Sequence, residues 1–268
     1  MQTTGKIAVA GATGRAGRHV VDVLEAGGHD VVAISRSAGV DLVTGDGLAE
    51  ALVGVEAVVD AATGSSPEEQ AATAYFTAAS GNLLRAGVEA GVQRMVVVSI
   101  IGIDRGFSGG YNAAKLVHEQ VMLSGPIPVR ILRAAQFHEF VAQLVEWGTQ
   151  GEVSYLPAMR TQLVAARTVG EALAGLAADP SSAPAHGASA EAPILEIAGP
   201  REENLIEAAR LLIARRGDSL RIEHGSDPGN PDFELYESGG VLPGPDAILA
   251  GPTFEEWLDS STHARAAA

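Results

Sequence analysis

The sequence predicts an α/β fold built on a doubly wound parallel sheet, with a small C-terminal substrate region. Three observations carry this expectation. Along the first 150 residues, short apolar runs rich in β-branched side chains alternate with longer stretches of helical spacing. A glycine-rich turn over residues 11–17 sits between the first such run and the first helical stretch. The run RMVVVS (94–99) carries its apolar residues without polar alternation, as a strand covered on both faces by helices must.

The elements follow in order. KIAVA (6–10) reads as the first strand, and after the glycine turn Val20, Val21, Val23 and Leu24 recur at helical spacing. VVAIS (31–35) and EAVVDAA (56–62) read as the next two strands. Helices are expected over 48–53 and 67–91, the second opening on Pro67-Glu68-Glu69 as helix first turns do. RMVVVS is expected at the centre of the sheet, followed by a helix over 111–123, the strand VRILRA (129–134) and a helix over 137–147. Beyond residue 150 the rhythm loosens into shorter runs, among them QLVAA (162–166), a helix over 169–177 and the strand ILEIA (194–198). Residues 179–193, rich in Ala, Ser and Pro, read as an exposed loop. Residues 225–252, dense in Gly and Pro, read as either a solvent-side tail or a lid. The expected division is a nucleotide-binding core over 1–150 and a smaller substrate region over 151–268, interleaved in one structural domain.

Composition narrows the function classes. Apolar residues make up 46% and charged residues 19%, which is enough to bury a core. With 18 Lys and Arg against 33 Asp and Glu the net charge is −15, the wrong sign for nucleic acid or anionic lipid. The absence of cysteine removes thiolate nucleophiles, disulfides and Cys-ligated metals. The histidines show no paired metal-ligand spacing, so no metal site is expected. The longest apolar stretch, 95–103, is about half of what a membrane span needs, and no secretory apolar segment precedes the first strand. The expectation is a cytoplasmic protein with a small-molecule substrate, monomeric or homodimeric.

The glycine turn points to a cofactor. Gly11, Gly14 and Gly17 frame Ala12, Thr13, Arg15 and Ala16 between strand and helix. In that context the first glycine permits the tight turn, the second lets backbone approach a pyrophosphate, and the third lets helix and strand pack closely. The plainer alternative is an ordinary turn in a chain with 32 glycines. At the end of the second strand, where an acidic residue would take the ribose of NAD, stand Ser35 and Arg36. A guanidinium suits a 2′-phosphate, and Arg15 adds a second positive group, so NADP(H) is preferred to NAD(H); the alternative is two solvated surface charges. Ala61, Ala62 and Thr63, small residues after the third strand, leave room for a dinucleotide.

YNAAK places Tyr111 and Lys115 one helical turn apart. With 4 tyrosines and 2 lysines in the chain, this spacing is expected by chance only about 0.03 times. A phenol donates a proton to a carbonyl as hydride arrives, and a nearby ammonium is expected to lower its pKa toward working pH while holding the ribose. GATGRAG, the strand ending in Ser99, YNAAK, LRAAQFHEF (132–140), QLVAARTVGEAL (162–173) and SGGVLPGPDAILAGPTFEEWL (238–258) together resemble the atypical, NmrA-like short-chain dehydrogenase/reductases of actinobacterial type. The resemblance implies a Rossmann fold with NADP across the C-terminal edge of the sheet, and it covers most of the chain. It also implies Tyr111 as proton donor, Lys115 on the nicotinamide ribose, and Ala134, Ala135, Gln136 and Phe137 beside the nicotinamide. By the family's register the catalytic hydroxyl position falls on Ile101, and Ser99 is the nearest hydroxyl. His138 and Glu139 are candidates for facing the substrate, and packing or surface residues are the preferred reading. The leading expectation is an NADPH-dependent reductase of a small or medium apolar carbonyl, enone or quinone. The alternatives are a redox sensor that holds NADP without turnover, and an epimerase or dehydratase that retains it.

Overall fold

The computed structural model describes residues 5–182, 193–225 and 231–260. Its main feature is a seven-stranded parallel sheet flanked by helices. The first strand, β1 (Lys6–Ala10), is buried from Ile7 onward and pairs on one side with β2 (Asp30–Ile34) and on the other with β3 (Ala57–Asp60), Val9 facing Ala33 and Val59. β4 (Arg94–Ile100) lies beside β3, with Val59 opposite Val96. β5 (Val129–Ala134), β9 (Ile194–Ala198) and β12 (Ile248–Leu249) complete the order β2-β1-β3-β4-β5-β9-β12. The chain leaves β1 for one neighbour and returns to the other, so β1 marks the point where the winding reverses; in such sheets the crevice at the carboxyl ends of the strands takes ligands.

The helices match the expected segments to within about two residues through residue 178, the usual fraying of an assignment. They are α1 (Gly17–Ala26), α2 (Leu48–Ala51), α3 (Glu69–Ala90), α4 (Gly110–Ser124), α5 (His138–Gly148) and α6 (Ala166–Ala178); α6 begins three residues before its expected start. Later elements are more numerous than the sequence rhythm suggests. β6 (Thr149–Gln150), β7 (Val153–Leu156) and β11 (Arg221–His224) form a three-stranded sheet, and β8 (Arg160–Thr161) pairs with β10 (Glu203–Asn204). α7 (Leu205–Arg216) starts where the Asn204 side chain accepts from the Ile206 amide and stops at left-handed Gly217. α8 (Phe233–Glu237) and β12 fall inside the stretch read as tail or lid, of which residues 226–230 lie outside the described residues. Of the loop expected over 179–193, residues 183–192 also lie outside them. α9 (Phe254–Asp259) opens on a capping box between Thr253 and Glu256. Among the described residues, no helix is long and apolar enough to cross a membrane.

The chain forms two compact units, each drawing on both sides of residue 150. The first comprises the described residues of Met1–Ser99, Gly109–Arg133 and Val169–Leu195; the second comprises those of Ile100–Ser108, Ala134–Thr168 and Glu196–Ala268. The first unit's core gathers Ile34, Leu48, Leu52, Leu83, Met95, Met122 and Ile131, contributed by strands and helices together. The second unit has its own core, in which Val141, Leu163, Leu205, Leu212 and Phe254 pack together. Burial of such side chains, at about 1.5–3 kcal/mol each, is what offsets the ordering of these elements.

Candidate active site

At the exit of β1 the Gly11 and Ala12 amides both donate to the Ile34 carbonyl, at 3.1 and 3.4 Å, and the Gly14 amide donates to Gly11 at 2.9 Å. Gly11 has a φ of 74°, and a Cβ there would lie 2.6 Å from the Ala61 carbonyl oxygen. A Cβ on Gly17 would strike the Gly11 carbonyl, so both glycines are required by close backbone approach. Ala12 and Ala16 are buried, whereas Thr13 and Arg15 are exposed. α1 begins at Ala16 with no side-chain cap and no acidic residue in its first turn, leaving its amide end suited to an anion.

At the exit of β2 the Ser35 hydroxyl accepts from the Ala38 amide at 3.3 Å and lies 2.9 Å from the Ser37 hydroxyl, fixing a single 3-10 turn over Arg36–Ala38. Arg36 stands exposed on that turn, close enough for its charge to act on the Tyr75 phenol. At the exit of β3 follow Ala61, Ala62 and Thr63. The glycine turn, Ser35, Arg36 and the Ala61–Thr63 stretch therefore all stand at the carboxyl ends of three adjacent strands.

α4 brings the chemistry. The Tyr111 hydroxyl is 2.7 Å from the Thr63 hydroxyl, and either oxygen can be the donor. The lowering expected from Lys115 is not found: burial raises the phenol above its ordinary range against the Thr63 hydrogen bond, and the Asp60 charge adds to the rise. Lys115 is buried, its Nζ donating to the Val98 carbonyl at 2.7 Å and lying 2.9 Å from His118 Nδ1. The ammonium also stands 4.8 Å from the centre of the Phe76 ring, on which the His118 imidazole stacks at 4.6 Å. Burial pulls the Lys115 ammonium down to about 8, against the charges of Asp60 and Glu119. His118 Nε2 lies 3.0 Å from Asp60 Oδ2, and Asp60 Oδ1 accepts from the Ala62 amide at 3.0 Å. Burial works against the Asp60 carboxylate, but the hydrogen bond and charge of His118, with Ala62 and Lys115, outweigh it and hold the group below its usual range. Burial and the Lys115 charge push His118 down, outweighing Asp60 and Glu119.

Tyr111, Lys115, Ser99 and the residues at the exits of β1, β2 and β3 thus share the first unit. Ser99 is buried in β4, and its hydroxyl has no hydrogen-bond partner among the described residues. Ala134, Ala135, Gln136 and Phe137 belong to the second unit. There the Ala135 amide donates to Ile197 at 2.9 Å, Gln136 Oε1 accepts from the Thr161 hydroxyl at 2.6 Å, and Phe137 bridges to Val164. Ile101 is fully buried. His138 packs its ring against Phe254 and Trp257, and Glu139 accepts from the Ala166 amide. The sequence reading missed Asp60 and His118. Their signals were a carboxylate closing an apolar strand, and a histidine three positions after Lys115 on the same helical face.

Comparison with known proteins follows this geometry. The model of an NAD(P)H-binding domain family matches residues 11–138, beginning at the first glycine of the turn. No curated protein matches the sequence closely enough to count as a relative. Among solved structures, MoeE5 in complex with UDP-glucose and NAD is similar at a TM-score of 0.73 and 20% identity, over 98% of this chain and 99% of that one. A nucleoside-diphosphate-sugar epimerase from Staphylococcus aureus matches at 0.73 and 14% identity, over 95% of this chain and 100% of that one. A short-chain dehydrogenase/reductase superfamily protein from Agrobacterium tumefaciens with bound NAD matches at 0.67 and 19% identity, over 97% of both chains. The chain therefore shares the fold of NAD-complexed proteins of the short-chain dehydrogenase/reductase type, and its residues 11–138 are similar to NAD(P)H-binding domains.

Proposed function

We propose that the protein is an NADPH-dependent oxidoreductase of the short-chain dehydrogenase/reductase kind that reduces a small or medium apolar carbonyl, enone or quinone. The observation that carries this reading is the placement of Tyr111, hydrogen-bonded to Thr63, one turn before a buried Lys115, in the same unit as the glycine turn. The residues fit a dinucleotide. An uncapped helix start without acidic side chains suits a pyrophosphate, the Gly11–Ala61 approach leaves no Cβ in the way, and Arg36 with Arg15 supplies positive charge for a 2′-phosphate. When bound, the cofactor supplies the hydride.

The remaining roles belong to the chain. Tyr111 keeps its proton through neutral pH because burial raises it, so it acts as a donor to a substrate oxygen that replaces Thr63 as its acceptor. Lys115 spends two of its three hydrogens on Val98 and His118, leaving one for a ribose hydroxyl. The Ser99 hydroxyl on β4, without a hydrogen-bond partner among the described residues, is a spare donor. Ala134, Ala135, Gln136 and Phe137, which the family resemblance assigns to the nicotinamide, belong to the second unit.

Titration of the protein with NADPH and NADH, repeated on Arg36→Ala, tests the reading, followed by a panel of carbonyls and quinones. NADPH preference that is lost in the variant supports it, and binding of neither nucleotide overturns it. An NADP-retaining epimerase or dehydratase is the second reading, favoured by the fold shared with the Staphylococcus aureus nucleoside-diphosphate-sugar epimerase. Cofactor that survives desalting without net consumption distinguishes it. A binding protein without turnover is the third, suggested by Ile101 where a hydroxyl is expected; steady NADPH oxidation with any member of the panel excludes it.

A further inference from the structure

We propose that Asp60 and His118 are positioning residues for Lys115, the buried carboxylate–imidazole pair fixing where the ammonium sits and keeping it charged. Its bearing on turnover rests on the reading of Tyr111 and Lys115 above; its bearing on Lys115 itself does not. Neither residue belongs to the Tyr-Lys spacing that led to the site, and they come from elements 58 residues apart in sequence.

The hydrogen-bond chain has one consistent assignment. An ammonium has only donors, so Lys115 donates to the Val98 carbonyl and to His118 Nδ1, which must then carry a bare lone pair. The imidazole proton is therefore on Nε2, where it is donated to Asp60 Oδ2, while Asp60 Oδ1 takes the Ala62 amide. Every polar atom along the path from Val98 to Ala62 is engaged in this single tautomer. Lys115 and Asp60 are each 4% exposed and His118 1%, so water does not substitute for any link.

The surroundings leave Asp60 as the counter-charge. On α4 the other carboxylate is Glu119, which is already held by the Arg133 guanidinium through two hydrogen bonds of 2.9 and 2.7 Å. α4 otherwise presents Tyr111, and α3 presents Phe76 and Tyr75, whose phenol burial raises further. β4 contributes the Val98 carbonyl and Ser99, and β3 contributes Asp60 alone. A buried cation and anion separated by a neutral imidazole keep their attraction because the medium between them is poorly polarisable. Removing Asp60 leaves Lys115 buried without compensation, and the ammonium then releases its proton at lower pH.

The chain has only two lysines, Lys6 and Lys115, so full-length protein labelled with 13C-lysine reports Lys115 directly, and Lys6→Arg leaves its signal alone. The expected result is a Lys115 titration near 8 in the parent. Asp60→Asn lowers it by about one unit or more, a tenfold loss of proton affinity. His118→Leu does the same and disperses the side-chain signal, whereas His118→Gln, which can accept from Lys115 and donate to Asp60, retains both. Where turnover is measured, the alkaline limb of kcat moves with the Lys115 titration. A Lys115 titration unmoved by Asp60→Asn and His118→Leu overturns the proposal. If those variants do not fold, a His118 imidazole found by 15N NMR of the parent in the Nδ1–H tautomer overturns it. Absence of turnover with the titration shifted as expected counts against the reductase reading alone.

Discussion

Burial raises the Tyr111 phenol, and this decides the direction of its chemistry: at neutral pH it holds a proton to give. Tyr111→Phe is expected to lower kcat about 10²–10⁴-fold, the range of a general acid, with NADPH affinity nearly unchanged; steady-state kinetics beside a fluorescence titration separate the two. Arg36→Ala is expected to weaken NADPH about 10–100-fold through loss of a charge-assisted contact, and to leave NADH where it was, as read by calorimetric titration. These residues were legible because their chemistry is local in sequence: a glycine spacing after a strand, a charge at the end of the next, and two side chains one turn apart on a helix. Asp60 and His118 were not, because an aspartate ending EAVVDAA and a histidine in KLVHE acquire meaning only when β3 and α4 are brought together. His118 also imposes an acid limit. It is neutral in the folded protein and titrates below its usual value, so beneath about pH 6.5 the unfolded chain binds the additional proton and stability declines as pH falls. Asp60, depressed in the fold, contributes stability above its ordinary value of 3.8 that is lost as pH falls further. Melting midpoints from pH 8 to pH 5 are expected to fall in the parent and to flatten in His118→Gln.

Between elements, the same logic places a second buried pair. Arg133 on β5 and Glu119 on α4 meet through two hydrogen bonds with both side chains nearly sealed from water. Glu119→Ala strands a buried guanidinium and is expected to cost about 3–5 kcal/mol in urea unfolding, while the joint change Glu119→Leu with Arg133→Met recovers most of it. Through α5 the element order was readable because strands of four to seven residues alternate with helices, most of them long enough to show their period. Afterwards the strands shrink to two to five residues, and β7 finds its parallel partner β11 almost seventy positions later, Val153 facing Arg221, which no local pattern announces. Neither α7, which Asn204 caps and Gly217 stops, nor α9, which opens on Thr253 three residues before Glu256, was expected from the sequence. Thr253→Ala is expected to cost about 1 kcal/mol through loss of that cap, measurable in the same unfolding experiment.

For the molecule as a whole, a net charge of −15 opposes non-specific association at neutral pH, and solubility is expected to reach its minimum near the pI of 4.8, as light scattering across pH would register. The sheet order has a temporal side. All six residues of β5 are buried, yet the strand that covers its outer edge, β9, lies about sixty residues downstream, and at 5–20 residues per second that is roughly 3–12 s of synthesis. During that interval a strand edge that is buried in the finished fold waits on the ribosome with nothing beside it, the situation in which nascent chains recruit holding chaperones or pair with one another. Slowing translation between residues 134 and 194 lengthens the exposure and should lower soluble yield, although the finished protein would be identical.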